Sequence, residues 1–289
     1  MENSKGKILN ASVLGPSLMV SAALLFTGMN LIIKLLNPEF NIWHIGFYRF
    51  FGGALVILAI FWRKNNPYKG SNIRLLFIRG CIGSVAFISL ISAVRSIPVS
   101  TALVIFYSFP AFAAVAAFIF YKERIGKWEI LCITIVILGV GILFDFQLAG
   151  SLFGQTMALI GGVFAGLTVT LIRSLRGKNG PVIIYLYFCT MGALVTFPMF
   201  VMNPLMPSSI IEWVMIIAII LSSVVAQLLM TQGFGYCRGW EGGVFMSSEV
   251  IFTAIMGIVF LGDPTSWRFW IGGLLIFSSV LTLNRLKAK

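Results

Sequence analysis

The stretch Thr101–Phe112, TALVIFYSFPAF, falls on Glu241–Phe252, EGGVFMSSEVIF, when the chain is shifted by 140 positions. The turn after it repeats too: Tyr121–Trp128, YKERIGKW, falls on Leu261–Arg268, LGDPTSWR. At a shift of 139, Tyr48–Leu55, YRFFGGAL, falls on Tyr187–Leu194, YFCTMGAL. Identity is weak at each match, but the order of apolar runs and the positions of turns agree. The chain therefore reads as two halves, residues 1–146 and 147–289.

Composition says what the halves are made of. The 289 residues are 59% hydrophobic and only 10% charged, with a mean hydropathy of +0.99. A soluble domain carries about 25% charged residues, so this is an integral membrane protein. A hydrocarbon core of ~30 Å needs about 20 mostly apolar residues per helix. Runs of that length are expected near 13–36, 42–62, 73–94, 98–121, 127–145, 151–173, 181–202, 210–232, 242–261 and 267–285. Pro38, Pro67, Pro98, Pro181, Pro204, Pro207 and Pro264 fall at or near their ends, where a residue without an N–H is tolerated. Two halves of five spans each must be inverted relative to one another, because five is odd. The expected fold is all-α, with ten transmembrane helices in two inverted five-helix repeats. Inverted repeats of this kind mark transporters, with the substrate site where the halves meet.

The net charge of +12 does not indicate nucleic acid, because the basic residues sit in short loops between apolar runs. With the N-terminus inside, one side of the membrane receives Lys5, Lys7, Arg63, Lys64, Lys69, Arg74, Lys122, Arg124, Lys127, Arg173, Arg176, Lys178, Arg238, Arg285, Lys287 and Lys289. The other side receives Glu39, Asp145, Glu212 and Asp263. The positive-inside rule then makes both termini cytoplasmic, in the cell (inner) membrane. The first apolar run is too long for a cleaved signal peptide. Trp43, Trp62, Trp128, Trp213 and Trp267 lie near span ends as interface anchors.

Several chemistries are excluded by what the sequence lacks. Cys81, Cys132, Cys189 and Cys237 show no metal or disulfide spacing, and His44 is the single histidine, so they read as unpaired thiols and no metal site or cofactor is expected. There is no HExxH or GxSxG motif for an intramembrane enzyme, and no Walker A motif for ATP. A channel is a weaker alternative, for no ring of like charges or repeated filter motif appears.

The stretches FYRFFGGAL (47–55), IRGCIG (78–83) and IPVSTALVIFYSFPAFAAVAAFIFYKERI (97–125), with FLGDPTSW (260–267) in the second half, carry a resemblance. The chain resembles the drug/metabolite transporter superfamily, in its ten-helix bacterial form with two EamA-like repeats, over essentially its whole length. The family's small-residue helix with a mid-span proline is matched around Pro110, and its Leu-Gly-Glu turn by Leu261-Gly262-Asp263, with Asp in place of Glu. The resemblance implies alternating-access transport of a small metabolite, often export.

Intramembrane polar residues are the candidates for the site. Glu249 stands in the apolar run Met246–Gly257, MSSEVIFTAIMG. If its helix starts near Gly242, it lies ~10 Å in at 1.5 Å per residue, too deep for a short side chain to reach water. Such groups usually face a cavity and mark a substrate or proton path; the alternative is a glutamate hydrogen-bonded to a neighbouring helix. Met246, Thr253 and Met256 share its helical face by spacing. Tyr107 and Ser108, beside Pro110, occupy the matching place in the first half, where the proline should break a backbone bond and bend the helix. Arg49 and Arg79 either snorkel to opposite interfaces, pair with Glu249, or hold an anionic group. Lys34 and Arg95 read as interfacial. Asn30, Ser89, Thr168, Gln227 and Gln232 either bridge helices or line a cavity, with Asn30 and Gln227 the better cavity candidates. Gly161, Gly162 and Gly166 fit close helix packing.

The expected function is a secondary transporter moving a small metabolite, amino-acid-like or zwitterionic, in the direction of export. Its candidate substrate-binding residues are Glu249, Tyr107, Ser108, Arg49, Arg79, Asn30, Gln227, Met246 and Thr253. The expected partners are membrane lipids and a small-molecule substrate, with no nucleic acid; a homodimer is compatible with the sequence.

Overall fold

The computed structural model describes residues 2–61, 68–122, 126–143, 151–236, 245–263 and 266–286. They form α1 (Glu2–Leu35), α2 (Ile42–Phe61), α3 (Ile73–Ser96), α4 (Val99–Phe106), α5 (Phe109–Tyr121), α6 (Lys127–Leu143), α7 (Ser151–Arg176), α8 (Pro181–Met202), α9 (Ile210–Tyr236), α10 (Ser248–Leu261) and α11 (Trp267–Leu286). No strand occurs among the described residues. Helices α4 and α5 divide one expected span, so the eleven helices make the ten transmembrane helices read from the apolar runs. The start of helix 9 near Gly242, Trp62, Cys237, Asp145, and the loop or terminal residues Arg63, Lys64, Arg124, Arg238, Lys287 and Lys289 lie outside the described residues.

Helices, rather than irregular chain, cross a membrane because each backbone N–H and C=O must be satisfied without water. Seven segments are long and apolar enough for a crossing by length and composition, among them Leu14–Leu35, Ile73–Ser96 and Val99–Phe120, while Ile130–Ile142 and Ser248–Leu261 are shorter apolar helices. Large apolar side chains cover the outside, such as Phe120, Ile137, Val259, Phe260 and Leu274. This is the reverse of a soluble surface and suits lipid.

The principal contacts cross between the halves. Helix α1 packs on α9, and its repeat counterpart α7 packs on α3. Helix α2 packs on its own counterpart α8, and α6 on α11. The matched motif around Gly53 and Gly192 is the α2–α8 crossing. A Cβ on Gly53 would meet the Tyr185 hydroxyl at 2.5 Å, and one on Gly192 would meet the Phe50 ring at 2.4 Å. The turns 140 positions apart also share a backbone state: Lys122 (φ 53°) and Gly262 (φ 65°) are both left-handed. At the second, the Asp263 N–H donates to the Gly257 carbonyl at 3.0 Å. That six-residue bond closes the helix end and makes Gly262, free of a Cβ, the suitable residue.

Candidate functional site

Both central helices are broken at matching places. In the first half α4 ends at Phe106 and α5 starts at Phe109, with Pro110 in its first turn. In the second, residues 245–246 are helical, Ser247 is a turn, and α10 follows. The break residues Ser108 (φ −67°, ψ −9°) and Ser247 (φ −64°, ψ −12°) adopt nearly the same conformation. The Ser108 hydroxyl donates to the Ile105 carbonyl at 2.7 Å, and Ser248, 140 positions on, donates to Phe245 at 2.6 Å. Each serine thus bonds back to a carbonyl of the turn before it, and Ile105 accepts the Ser108 N–H as well, at 3.1 Å. The second break needs no proline: Val250 stands where the first half has Pro110. The small residues of α7 cover the first break. A Cβ on Gly162 would sit 2.9 Å from the Phe106 carbonyl oxygen, and one on Gly166 would sit 2.7 Å from the Ala113 nitrogen.

Glu249 lies in the first turn of α10 and is 4% exposed. Its Oε2 accepts a hydrogen bond from the Tyr107 hydroxyl at 2.6 Å, and its Oε1 accepts one from Asn30 Nδ2 at 3.1 Å. The carboxyl group therefore ties the second-half break to the first-half break and to α1. Both donors are neutral, so no cation is matched to it.

Arg49 and Arg79 are each 1% exposed. They do not snorkel, and neither pairs with Glu249. Their heads enter one aromatic cluster: the Arg49 guanidinium lies 3.6 Å from the Phe87 ring centre and 5.2 Å from that of Phe188, and Arg79 lies 4.3 Å from Phe188. The Nε and Nη1 atoms of both have no hydrogen-bond partner among the described residues. Cation–π contact offsets only part of the cost of burying such a charge. Of the three alternatives for these arginines, reaching opposite interfaces and pairing with Glu249 are not what the structure has: both heads lie against the same Phe188 ring.

These groups line one cavity of about 120 Å³, walled by Asn30, Arg49, Arg79, Tyr107, Gln227, Met246 and Glu249 among others, with residues from both halves. That volume holds several waters. Thr168, whose hydroxyl has no hydrogen-bond partner, is also on the wall. Two candidates are not brought to it. The Ser108 hydroxyl is spent on Ile105, and Thr253 is fully buried with its hydroxyl 3.1 Å from that of Thr27. Thr253 follows Glu249 by one turn of the same helix, but at that level α10 packs on α1 and the Thr253 hydroxyl meets Thr27 instead of the cavity. The aromatic walls Phe87 and Phe188 were not singled out from the sequence. Nothing in spacing separates them from the other phenylalanines among 26.

One end of the bundle is tied by charge. Lys34 Nζ, at the end of α1, donates to the Val94 and Ile97 carbonyls at the end of α3, at 2.9 and 2.8 Å. Arg95, on α3, donates to Ile33, Leu36, Asn37 and Phe40 at the end of α1. Each helix thus supplies the cation that caps the other's C-terminus, where the dipole favours positive charge. Beside them, Asp263 Oδ2 accepts the Ser100 N–H at 2.9 Å and the Ser100 hydroxyl at 2.7 Å, closing α10 onto the start of α4.

Known proteins resemble this chain in sequence and in fold. The profile of the EamA-like transporter family matches residues 13–144 and 152–285, and the chain belongs to that family. The pseudopaline exporter CntI of Pseudomonas aeruginosa is 25% identical over 274 residues, which cover 94% of this chain and 96% of that protein. Solute carrier family 35 member G1 of Homo sapiens is 24% identical over 273 residues, covering 88% of this chain and 74% of that protein. A solved crystal structure superposes with a TM-score of 0.67 at 16% identity, covering 94% of this chain and 98% of the other, which shows a common fold. The protein is a multi-pass membrane transporter and not an enzyme.

Proposed function

We propose that this transporter is a secondary carrier that exports a small amino-acid-like metabolite by alternating access. The two halves, 1–146 and 147–289, move against each other around the shared cavity, with both termini in the cytoplasm. One observation carries the reading: a buried carboxyl group, Glu249, and two buried guanidinium groups, Arg49 and Arg79, line a single cavity between the halves. An acid on one wall and cations on another suit a substrate bearing an amine and a carboxylate. The similarity to an exporter supports the direction.

Counterflow in proteoliposomes tests the proposal. The expected result is saturable uptake of a labelled amino acid, accelerated by unlabelled substrate inside and abolished in E249Q. Flux that rises linearly with concentration and shows no counterflow would overturn it in favour of a channel.

A further inference from the structure

We infer that Arg49 and Arg79 form a double-anion subsite, so that the substrate carries two acidic groups and one amine. This rests on the carrier reading above and narrows its substrate class from a simple zwitterion to an amino dicarboxylate. The argument is a charge balance inside the cavity. Two guanidinium groups are buried to 1% exposure, and Nε and Nη1 of each have no hydrogen-bond partner among the described residues. The single carboxyl group on the same wall is already held by Tyr107 and Asn30. It cannot also neutralise two cations, and neither arginine is bonded to it. Both arginines lie against the Phe188 ring, and Arg49 against Phe87 as well; these faces attract a cation without neutralising it. Two like charges held in one cluster repel, and are stabilised when anions join them. Guanidinium is also the side chain best matched to a carboxylate, through paired N–H donors. A ligand with one carboxylate would leave one arginine uncompensated. A ligand with two acids and an amine meets both arginines and Glu249 and leaves the loaded cavity balanced. The unpartnered Thr168 hydroxyl and the Gln227 amide on the same wall supply neutral hydrogen bonds to such a ligand.

The test is binding to the purified full-length protein, read as the ligand-dependent rise in melting temperature. The probes are aspartate, glutamate and 2-aminoadipate, each against its monoamide, and glutarate against glutamate. The expected result is at least one dicarboxylate bound about tenfold or more tightly than its monoamide, the scale of one charge-assisted hydrogen bond. R49Q and R79Q should each erase that preference, while E249Q should erase the preference for glutamate over glutarate. If the glutamine variants do not fold, R49K and R79K serve in their place and should retain a weakened preference. The subsite is overturned if every monoamide binds as well as its acid, if the preference survives in both glutamine variants, or, where the lysine variants are used, if it is undiminished in both. Counterflow separates the two readings. Counterflow of other amino acids without dicarboxylate preference keeps the carrier and loses the subsite. Dicarboxylate binding without counterflow keeps the subsite and loses the carrier.

Discussion

Tyr107 and Glu249 join the two broken helices, the tyrosine hydroxyl donating to the carboxyl group across 2.6 Å although the residues are 142 positions apart. By the 140-residue repeat Tyr107 corresponds to Ser247, the break residue of the second half. A break-point side chain of one half thus holds the acid of the other, and any movement of one half against the other must change this bond. Tyr107→Phe removes the donor and keeps the ring. The expected cost is about 1–3 kcal/mol, as for a buried acceptor left without its donor. A lower melting temperature with a matching loss of counterflow rate checks it; an unchanged rate would detach Tyr107 from transport.

The exchange of helix caps between α1 and α3 predicts unequal and coupled losses. Arg95→Ala leaves four carbonyls without their donor, and Lys34→Ala leaves two. Arg95→Ala should therefore lower the melting temperature more. Because both variants loosen the same pair of helix ends, a double-mutant cycle should return a coupling of about 0.5–3 kcal/mol. Strict additivity would contradict the exchange.

The contact of α7 with the first break predicts a graded glycine series. Ala is the better helix former by about 1 kcal/mol, so Gly→Ala should stabilise wherever there is room. At Gly28 nothing lies within 4 Å of an added Cβ, and G28A should be neutral or stabilising. At Gly166 the Cβ would meet the Ala113 nitrogen at 2.7 Å and the Phe109 carbonyl at 2.8 Å, both rigid backbone. G166A should cost about 1–3 kcal/mol by overpacking. Thermal melts of the two variants in detergent decide it.

The closure of α10 on α4 predicts a difference between its two partners. Asp263 accepts both the Ser100 hydroxyl and its backbone N–H. Ser100→Ala removes only the first bond, whereas Asp263→Ala removes both and leaves a helix N-terminus uncapped. The expected costs are about 1 kcal/mol for the serine, and more for the aspartate. Equal melting temperatures for the two variants would rule out the backbone cap.

The sequence determined the ten spans and the halves' common plan, because both rest on local quantities. A crossing needs a minimum apolar length, and a repeat is visible as matched turns and matched apolar runs. It also marked Glu249, Arg49, Arg79, Asn30, Tyr107 and Gln227, since an ionisable or amide group in an apolar run is conspicuous wherever it points. What those groups meet was decided by tertiary structure. That Asn30 and Tyr107 serve Glu249, that Arg49 and Arg79 share one aromatic cluster instead of reaching opposite interfaces, and that Lys34 and Arg95 cap each other's helices all depend on pairings across 55 to 219 positions or on helix facing. The break at Ser247 was equally hidden. Its first-half counterpart is announced by Pro110, but here a serine hydroxyl and the packing of neighbouring helices satisfy the backbone without any proline to declare it. Thr253 was hidden for another reason: spacing puts it on the face of Glu249, but only the packing of α10 on α1 decides that its hydroxyl meets Thr27 rather than the cavity.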